Sequence, residues 1–477
     1  MDLFRSGLQI FVARLCKSAI SFLAVVVFSR ELGANSMGVY YPFIALLTLL
    51  AIPSDFDISG ATEKRISEDN EKSSYLGTAL VLKASLLAIT SLFLFSGREY
   101  INQYLGINLA IALILTLYAS QAATFSLHIL RGELRVGETA VIEVLRPLSW
   151  LTMGYIFYTQ GYGVKSLVYG YLIGSIIMSI IGWWKVSVPI GRPTITHARS
   201  IFDYGRYSVI SSVGSRFYSS MDVAILSVFV AVDIAVTRGE IGAYENAWRL
   251  SLIVVLFSQS IATTLFPQFS RWNAENATNR IEALIPKALL PSLLIVIPAF
   301  VGTVILAKDL LSILFGPEFT VAWIALIILT GEKIFQSIHA ILGQALQAVN
   351  RPDLSAYATI VAILINFILN IVLIWEFGIV GAALATSISF AVNTGIQAYY
   401  LSTIIDIGFP VSATAWSLIS SSLMGLTIYV FKNNREISSI FELVMVIVVG
   451  IITYSIFVLL YQPIRSEVRN ILHSNIL

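Results

Sequence analysis

Long apolar runs separated by short polar connections set the rhythm of this chain. Read in windows of about 19 residues, the runs fall near 8–28, 37–53, 75–95, 107–129, 140–160 and 163–184. After a polar stretch they resume near 207–231, 241–266, 284–307, 321–348, 354–375, 378–402, 413–431 and 440–461. A helix needs about 20 such residues to cross the hydrocarbon layer of a bilayer. The pattern predicts an all-α, polytopic membrane protein with about 14 transmembrane helices, or about twelve if the last pair is not a pair of spans. Charges interrupt the first and seventh runs, the weakest of the set.

Composition narrows the class. Of 477 residues, 57% are hydrophobic and 12% charged, against about 25% charged in a soluble domain. Thirty Lys and Arg against 28 Asp and Glu leave a net charge of +2, which offers no footprint for a nucleic-acid partner. The one cysteine, Cys16, excludes an internal disulfide framework and a multi-cysteine metal site. His128, His197, His339 and His473 lack metal-ligand spacing, so neither metal nor cofactor is expected. The first run holds Arg14 and Lys17 and has no small-x-small cleavage pattern, so it reads as a retained span rather than a signal peptide.

Positive charge orients the spans. With a cytoplasmic N-terminus, the inner segments hold 16 Lys and Arg and the outer segments 7, so both termini are expected on the cytoplasmic side of the cell membrane. The acceptor motif Asn276-Ala277-Thr278 then lies inside and is expected to be unmodified. The longest connections, 54–74 and 185–206, have room for an amphipathic surface helix but not a folded domain. The charged stretch 64–73 reads as a solvated run.

A weak repeat divides the chain. Leu130 and Arg135 match Leu346 and Arg351 at an offset of 216, and Tyr162-Gly163-Val164 matches Phe377-Gly378-Ile379 at 215. Gly38-Val39-Tyr40 matches Gly242-Ala243-Tyr244 at 204. The order is consistent, so two six-helix bundles of like orientation are expected, residues 1–200 and 201–405, with two further helices and a tail over 406–477. Two such bundles face to face would leave a central cleft, the usual place for a transported substrate.

At this point the residues resemble a family. FVARLCKSAISFLAVVVFSRELGANSMGVYYPFIAL (Phe11–Leu46) is similar to the first helix pair of polysaccharide-transporter flippases, of the multidrug/oligosaccharidyl-lipid/polysaccharide exporter superfamily. Ser215–Arg271, Ile313–Leu329 and above all Ala345–Ser389 resemble corresponding parts of the second bundle. The resemblance covers most of residues 1–400 and carries no short catalytic signature. It implies a V-shaped, two-lobed fold that passes a lipid-linked glycan from the cytoplasmic to the external leaflet. Phe56–Glu68 looks most like archaeal members, which implies dolichol-type carriers and glycosylation of surface-layer proteins. Membrane lipids, and glycosyltransferases or an oligosaccharyltransferase of the same pathway, are the implied partners.

Seven cations lie within predicted spans, and each ionisable group at bilayer depth costs about 2.5–3.5 kcal/mol on insertion scales. Arg14 and Lys17 share one face of the first helix, Glu143 and Arg146 one face of the fifth, and Glu245 and Arg249 one face of the eighth. The last two pairs can neutralise themselves, and Arg14 and Lys17 can snorkel to headgroups. Lys83 stands alone on the third helix, and Glu332 and Lys333 are neighbours on the tenth. Arg216 has no carboxylate three or four positions away and lies about 240° around its helix from Asp222, so it is the leading candidate to face an anion.

The functional reading is electrostatic. A lipid-linked glycan carries phosphate or diphosphate, which hydrocarbon excludes. A cleft with fixed cations replaces part of its hydration, Arg above all. The candidate substrate-binding residues are Arg216, Arg14, Lys17, Lys83, Arg146, Arg249 and Lys333. Asp222 and Glu332 are candidates for coupling to Na⁺ or H⁺. Ser211, Ser212, Tyr218, Asn366, Asn370 and Asn393 can solvate sugar hydroxyls, although interhelical hydrogen bonding accounts for them equally well. The lipid tail can stay in the bilayer. Gly170 and Gly174 permit close helix packing, and prolines at 267, 286, 291 and 298 bend their helices or form a hinge. A cation-coupled multidrug exporter of the same superfamily would need a more acidic cleft than these spans supply. A membrane glycan polymerase or glycosyltransferase would need a larger extramembrane loop, so no enzyme is expected.

Overall fold

A computed structural model describes residues 3–68 and 71–466, without the side chains of 3–11, 206–215, 217 and 218. The chain begins with α1 (Leu3–Asp55), a short α2 (Ile58–Glu68), α3 (Lys72–Ser96), a two-turn α4 (Arg98–Leu105), α5 (Ala110–Gly132), α6 (Val136–Thr159) and α7 (Lys165–Lys185). An extended stretch leads to α8 (Ile195–Ala231), then α9 (Arg238–Ala274), α10 (Thr278–Leu314) and a 3-10 turn at Pro317–Ala322. The last helices are α11 (Trp323–Ala348), α12 (Pro352–Ser402), α13 (Val411–Asn434) and α14 (Ile440–Val458).

Among the described residues, eleven helices are long and apolar enough to cross a membrane. Two of them are double. α1 breaks at Gly33 (φ 77°, ψ 173°) and α12 at Gly378 (φ 55°, ψ −132°), conformations that glycine alone adopts freely. Both breaks fall between spans that the sequence pattern separates. Counting each half gives thirteen apolar segments, and the 37-residue α8, whose apolar part is the shorter Ser219–Ala231, is the further long helix where the seventh span was expected.

The connections differ in kind. α2 fills the first long one as the amphipathic helix expected there. In the second, residues 186–194 are extended and pinned by Gly191 N–H, which donates to Ser73 O at 2.8 Å. Residues 195–206 are not a separate surface helix but the first turns of α8, capped by the Thr194 hydroxyl. All four candidate hinge prolines lie inside helices, Pro267 in α9 and the others in α10.

Compactness divides the chain into Met1–Gly242 and Ala243–Leu477. The first unit therefore includes α8, which packs on α1, α2, α3 and α4; the expected boundary near residue 200 differs from it by this one helix. Lipid tails are as apolar as leucine, so helices in a bilayer associate by close packing rather than by escape from water. Glycines set the approach. A Cβ on Gly170 would lie 2.8 Å from Gly154 Cα, and one on Gly174 would lie 2.8 Å from Arg146 O, so α7 lies backbone to backbone on α6. The repeat-matched glycines meet: a Cβ on Gly242 would lie 2.9 Å from Gly38 N. In the second unit α11 packs on α10 and α12, and α13 and α14 pack on α10.

Candidate functional site

Several of the seven intramembrane cations are already spoken for. Lys83 is not alone. Its ammonium donates to Asp55, to Ser59 Oγ at 2.8 Å and to Gln121 Oε1 at 3.1 Å, so all three protons have acceptors. Asp55 ends α1, and the chain turns back through Phe56 and Asp57, both at positive φ, so that Ser59 Oγ donates to the same carboxylate at 2.7 Å. This elbow explains why a helix-face search along α3 alone finds no partner for Lys83. Lys333 Nζ lies 2.5 Å from Glu332 Oε2, and both are sealed in the second unit. Arg249 Nη2 reaches Glu245 Oε1 at 2.8 Å, the self-neutralised arrangement read from their spacing.

Arg216 is half-buried on α8, and its charge acts on Asp57 and Lys83 of the elbow. Asp57 itself is held above the ordinary carboxylate range, chiefly by burial and then by the Asp55 charge, with His128 and Arg216 opposing. Asp222 is buried. Among the candidate hydroxyl-solvating groups, Asn366 donates to Ser389 Oγ at 3.0 Å across the two halves of α12, Asn370 donates to Asn366 at 3.0 Å, and Asn393 accepts from Gln397 at 3.2 Å. These amides serve helix packing. The side chains of Ser211, Ser212 and Tyr218 lie outside the described residues.

A different group of cations is open. Glu143 on α6 accepts from Lys17 Nζ of α1 through Oε2 and from Arg131 Nη2 of α5 through Oε1, each at 2.7 Å. The expected Glu143–Arg146 pair is therefore not formed, because two other helices claim the carboxylate first. Arg146 turns instead to α7, where Nη1 donates to the Tyr171 hydroxyl at 3.3 Å and the guanidinium lies 5.3 Å from that ring. The close α6–α7 approach at Gly174 brings Tyr171 within reach. Among the described residues, Arg146 Nε and Nη2 are buried without an acceptor. Each such donor costs about 1–3 kcal/mol, which a bound anion would recover. Arg14, one turn from Lys17, is exposed.

Two cations thus hold one carboxylate, with Arg14 one turn from Lys17 and Arg146 one turn from Glu143, and the side chains of Lys17, Arg131 and Glu143 are 44%, 32% and 24% exposed. Charges this open cannot front hydrocarbon, so the group faces water or headgroups. Arg131 is the penultimate residue of α5, and Glu143 lies seven residues into α6, about 10 Å along the axis. The turn between them is rigid. Arg135 donates to Glu138 at 2.7 Å and to Lys185 O at 2.5 Å, while Glu133 accepts from Ser187 N at 2.8 Å. Sequence reasoning missed Arg131, counted as a loop charge, and Tyr171, for which only the neighbouring glycine spacing was a signal.

The second unit holds a cavity of about 540 Å³ between α9, α10, α11, α13 and α14. Its wall carries hydroxyls such as Ser251, Thr303 and Tyr454 but no charged side chain.

Known proteins resemble this chain in sequence and in fold. The family described as Polysaccharide biosynthesis protein matches residues 3–273, and MatE matches 212–372. The probable low-salt glycan biosynthesis flippase Agl15 of Haloferax volcanii is 43% identical over 466 residues, covering 98% of each chain. The probable flippase AglR of the same organism is 29% identical, over 99% of this chain and 98% of its own. The solved structure of lipid II flippase MurJ, inward closed, shares the fold with a TM-score of 0.79 at 20% identity, over 95% of this chain and 98% of that one. A MATE transporter of the MOP superfamily, inward-facing, aligns at a TM-score of 0.65 and 18% identity, over 80% of this chain and 93% of that one. With more than half of its length matched by the first of these families and a close relative along nearly all of it, the chain belongs to the polysaccharide biosynthesis protein family of multi-pass membrane proteins, as the resemblance of Phe11–Leu46 and Ala345–Ser389 implies.

Proposed function

We propose that this protein is a flippase that moves a lipid-linked sugar or oligosaccharide from the cytoplasmic to the external leaflet of the cell membrane. The observation that carries the reading is the surplus of cations in the first unit. Lys17 and Arg131 share the carboxylate of Glu143, Arg14 and Arg146 each lie one turn away along α1 and α6, and two donors of Arg146 are unfilled among the described residues. Such a group receives the phosphate or diphosphate between isoprenoid and sugar, which cannot enter hydrocarbon unaided. The uncharged cavity of the second unit is not a place for that anion.

The excess of Lys and Arg in the predicted inner segments supports cytoplasmic termini. In that orientation the α5–α6 turn, and the cation group within about two helical turns of it, lie at the cytoplasmic leaflet, where the loaded lipid is made. A dolichol- or undecaprenyl-linked glycan fits this chemistry, as does a place between the glycosyltransferases that build the glycan and the transferase that consumes it at the outer face. Any coupling to Na⁺ or H⁺ has Asp222 and Glu332 as its candidates.

The test is deletion of the gene followed by analysis of lipid-linked sugars on each membrane face. Accumulation on the cytoplasmic face, with surface products left unglycosylated, is the expected outcome. Loss of the lipid-linked intermediate itself would point to an enzyme and overturn the reading. A glycan found on Asn276 would invert the orientation.

A further inference from the structure

Glu143 occupies the position that an incoming phosphate would take. Its two oxygens each accept a charge-assisted hydrogen bond from a different helix, Lys17 of α1 and Arg131 of α5, both at 2.7 Å. Carboxylate and phosphate oxygens compete for the same donors in the same geometry. One turn along α6, Arg146 keeps Nε and Nη2 buried and without an acceptor. Residues three apart on a helix share a face, so Glu143 has a third cation within reach that it does not use in this state.

We infer that Glu143 is a resident counter-anion: the substrate's phosphate displaces it from Lys17 and Arg131, and the released carboxylate moves to Arg146. The inference rests on the reading of this cation group as the phosphate site. Before loading, Glu143 is shared by Lys17 and Arg131 while Arg146 keeps open donors; after loading, the phosphate holds Lys17 and Arg131, with Arg14 one turn from Lys17, and Glu143 fills the open donors of Arg146. Four positive charges accommodate one carboxylate plus a phosphate diester or a diphosphate diester. The exchange also has a mechanical consequence. Among the described residues, the hydrogen bond of Lys17 to α6 runs through Glu143, so loading releases that tie of α1 to α6 and replaces it with one to the cargo.

A double-mutant cycle on the full-length protein in lipid nanodiscs tests this, with farnesyl phosphate as the probe, uncharged farnesol as its control, and thermal unfolding as the check on folding. Glu143→Gln keeps the shape and removes the competitor, so farnesyl phosphate should bind about tenfold tighter, within the usual range of coupling between two sites. Arg146→Met should weaken binding more in the wild-type background, where Glu143 then has nowhere to go, than in the Glu143→Gln background. Equal or weaker binding by Glu143→Gln would make that carboxylate structural and overturn the inference. Equal weakening by Arg146→Met in both backgrounds would make Arg146 act on the phosphate alone; the handover would fall while the phosphate site stood. If the wild-type protein failed to distinguish farnesyl phosphate from farnesol, the phosphate site would fall and the handover with it.

Discussion

Two polar groups in the first unit are built from the same residue types and behave as opposites. At the α1–α2 elbow, Lys83 and Asp55 are nearly sealed, with side chains 5% and 7% exposed, and every ammonium proton has an acceptor. Around Glu143, two cations share one carboxylate, the side chains are open, and donors of Arg146, one turn away, are unfilled. A closed, balanced network holds helices at fixed positions, because opening it strands a buried charge. An open group with surplus charge is poor architecture and a good receptor. The partner inventory, and not the presence of charge at bilayer depth, separates scaffold from site.

The largest expected effect breaks the closed network. Lys83→Met leaves Asp55 buried without its cation, a change that typically costs about 3–5 kcal/mol. The thermal midpoint in detergent should fall sharply, and Lys83→Met combined with Asp55→Asn should recover much of the loss. The same exchange in the open group is the control: Lys17→Met should cost no more than about 1 kcal/mol, as for an exposed pair, while glycan export falls strongly. Comparable destabilisation by the two substitutions would erase the distinction between the groups.

Next in size is a change that reaches the open group through packing alone. Gly174→Leu adds a side chain where a Cβ already meets Arg146 O at 2.8 Å. Overpacking of this kind costs about 1–3 kcal/mol and moves α7 away from α6, taking Tyr171 off Arg146. Farnesyl phosphate binding should change in Gly174→Leu, whereas Gly161→Ala, at a turn glycine with open space around it, should leave binding as it was even though its positive φ strains the fold.

Local pattern carried most of the fold and little of the site. The spans, the breaks at Gly33 and Gly378 and the Glu245–Arg249 pair were legible because each depends on residues within a turn or on run length. The acid partners of Lys83 and Lys17 were not, because they arrive from other helices. Asp55 comes from the end of α1, beside a turn whose positive φ values place non-glycine residues without local warning, and Glu143 comes from α6. The spacing of Glu143 and Arg146 predicted a pair that tertiary competition undoes. Arg131 was hidden for a related reason: at a helix end it reads as an orienting charge until α1 and α6 are seen beside it.

The smallest effect sharpens the boundary of the closed network at its exposed edge. Asp57 sits half-buried beside Asp55, and its carboxyl is held above the ordinary value of 3.8, first by burial and then by its acidic neighbour. A carboxyl raised in the folded protein favours folding only while it is protonated. Its contribution is full below the unfolded value and is lost as pH rises through the folded one. Asp57→Asn removes the charged form and keeps a residue that caps helices equally well, so at neutral pH it should raise stability slightly, by no more than about 0.5 kcal/mol. Near pH 4 and below, wild type and variant should converge. Unfolding curves of the two proteins across that range read the difference directly. A stabilisation that persisted at low pH would mean that Asp57 acts through shape and not charge, leaving Asp55 as the only acid whose ionisation the elbow requires.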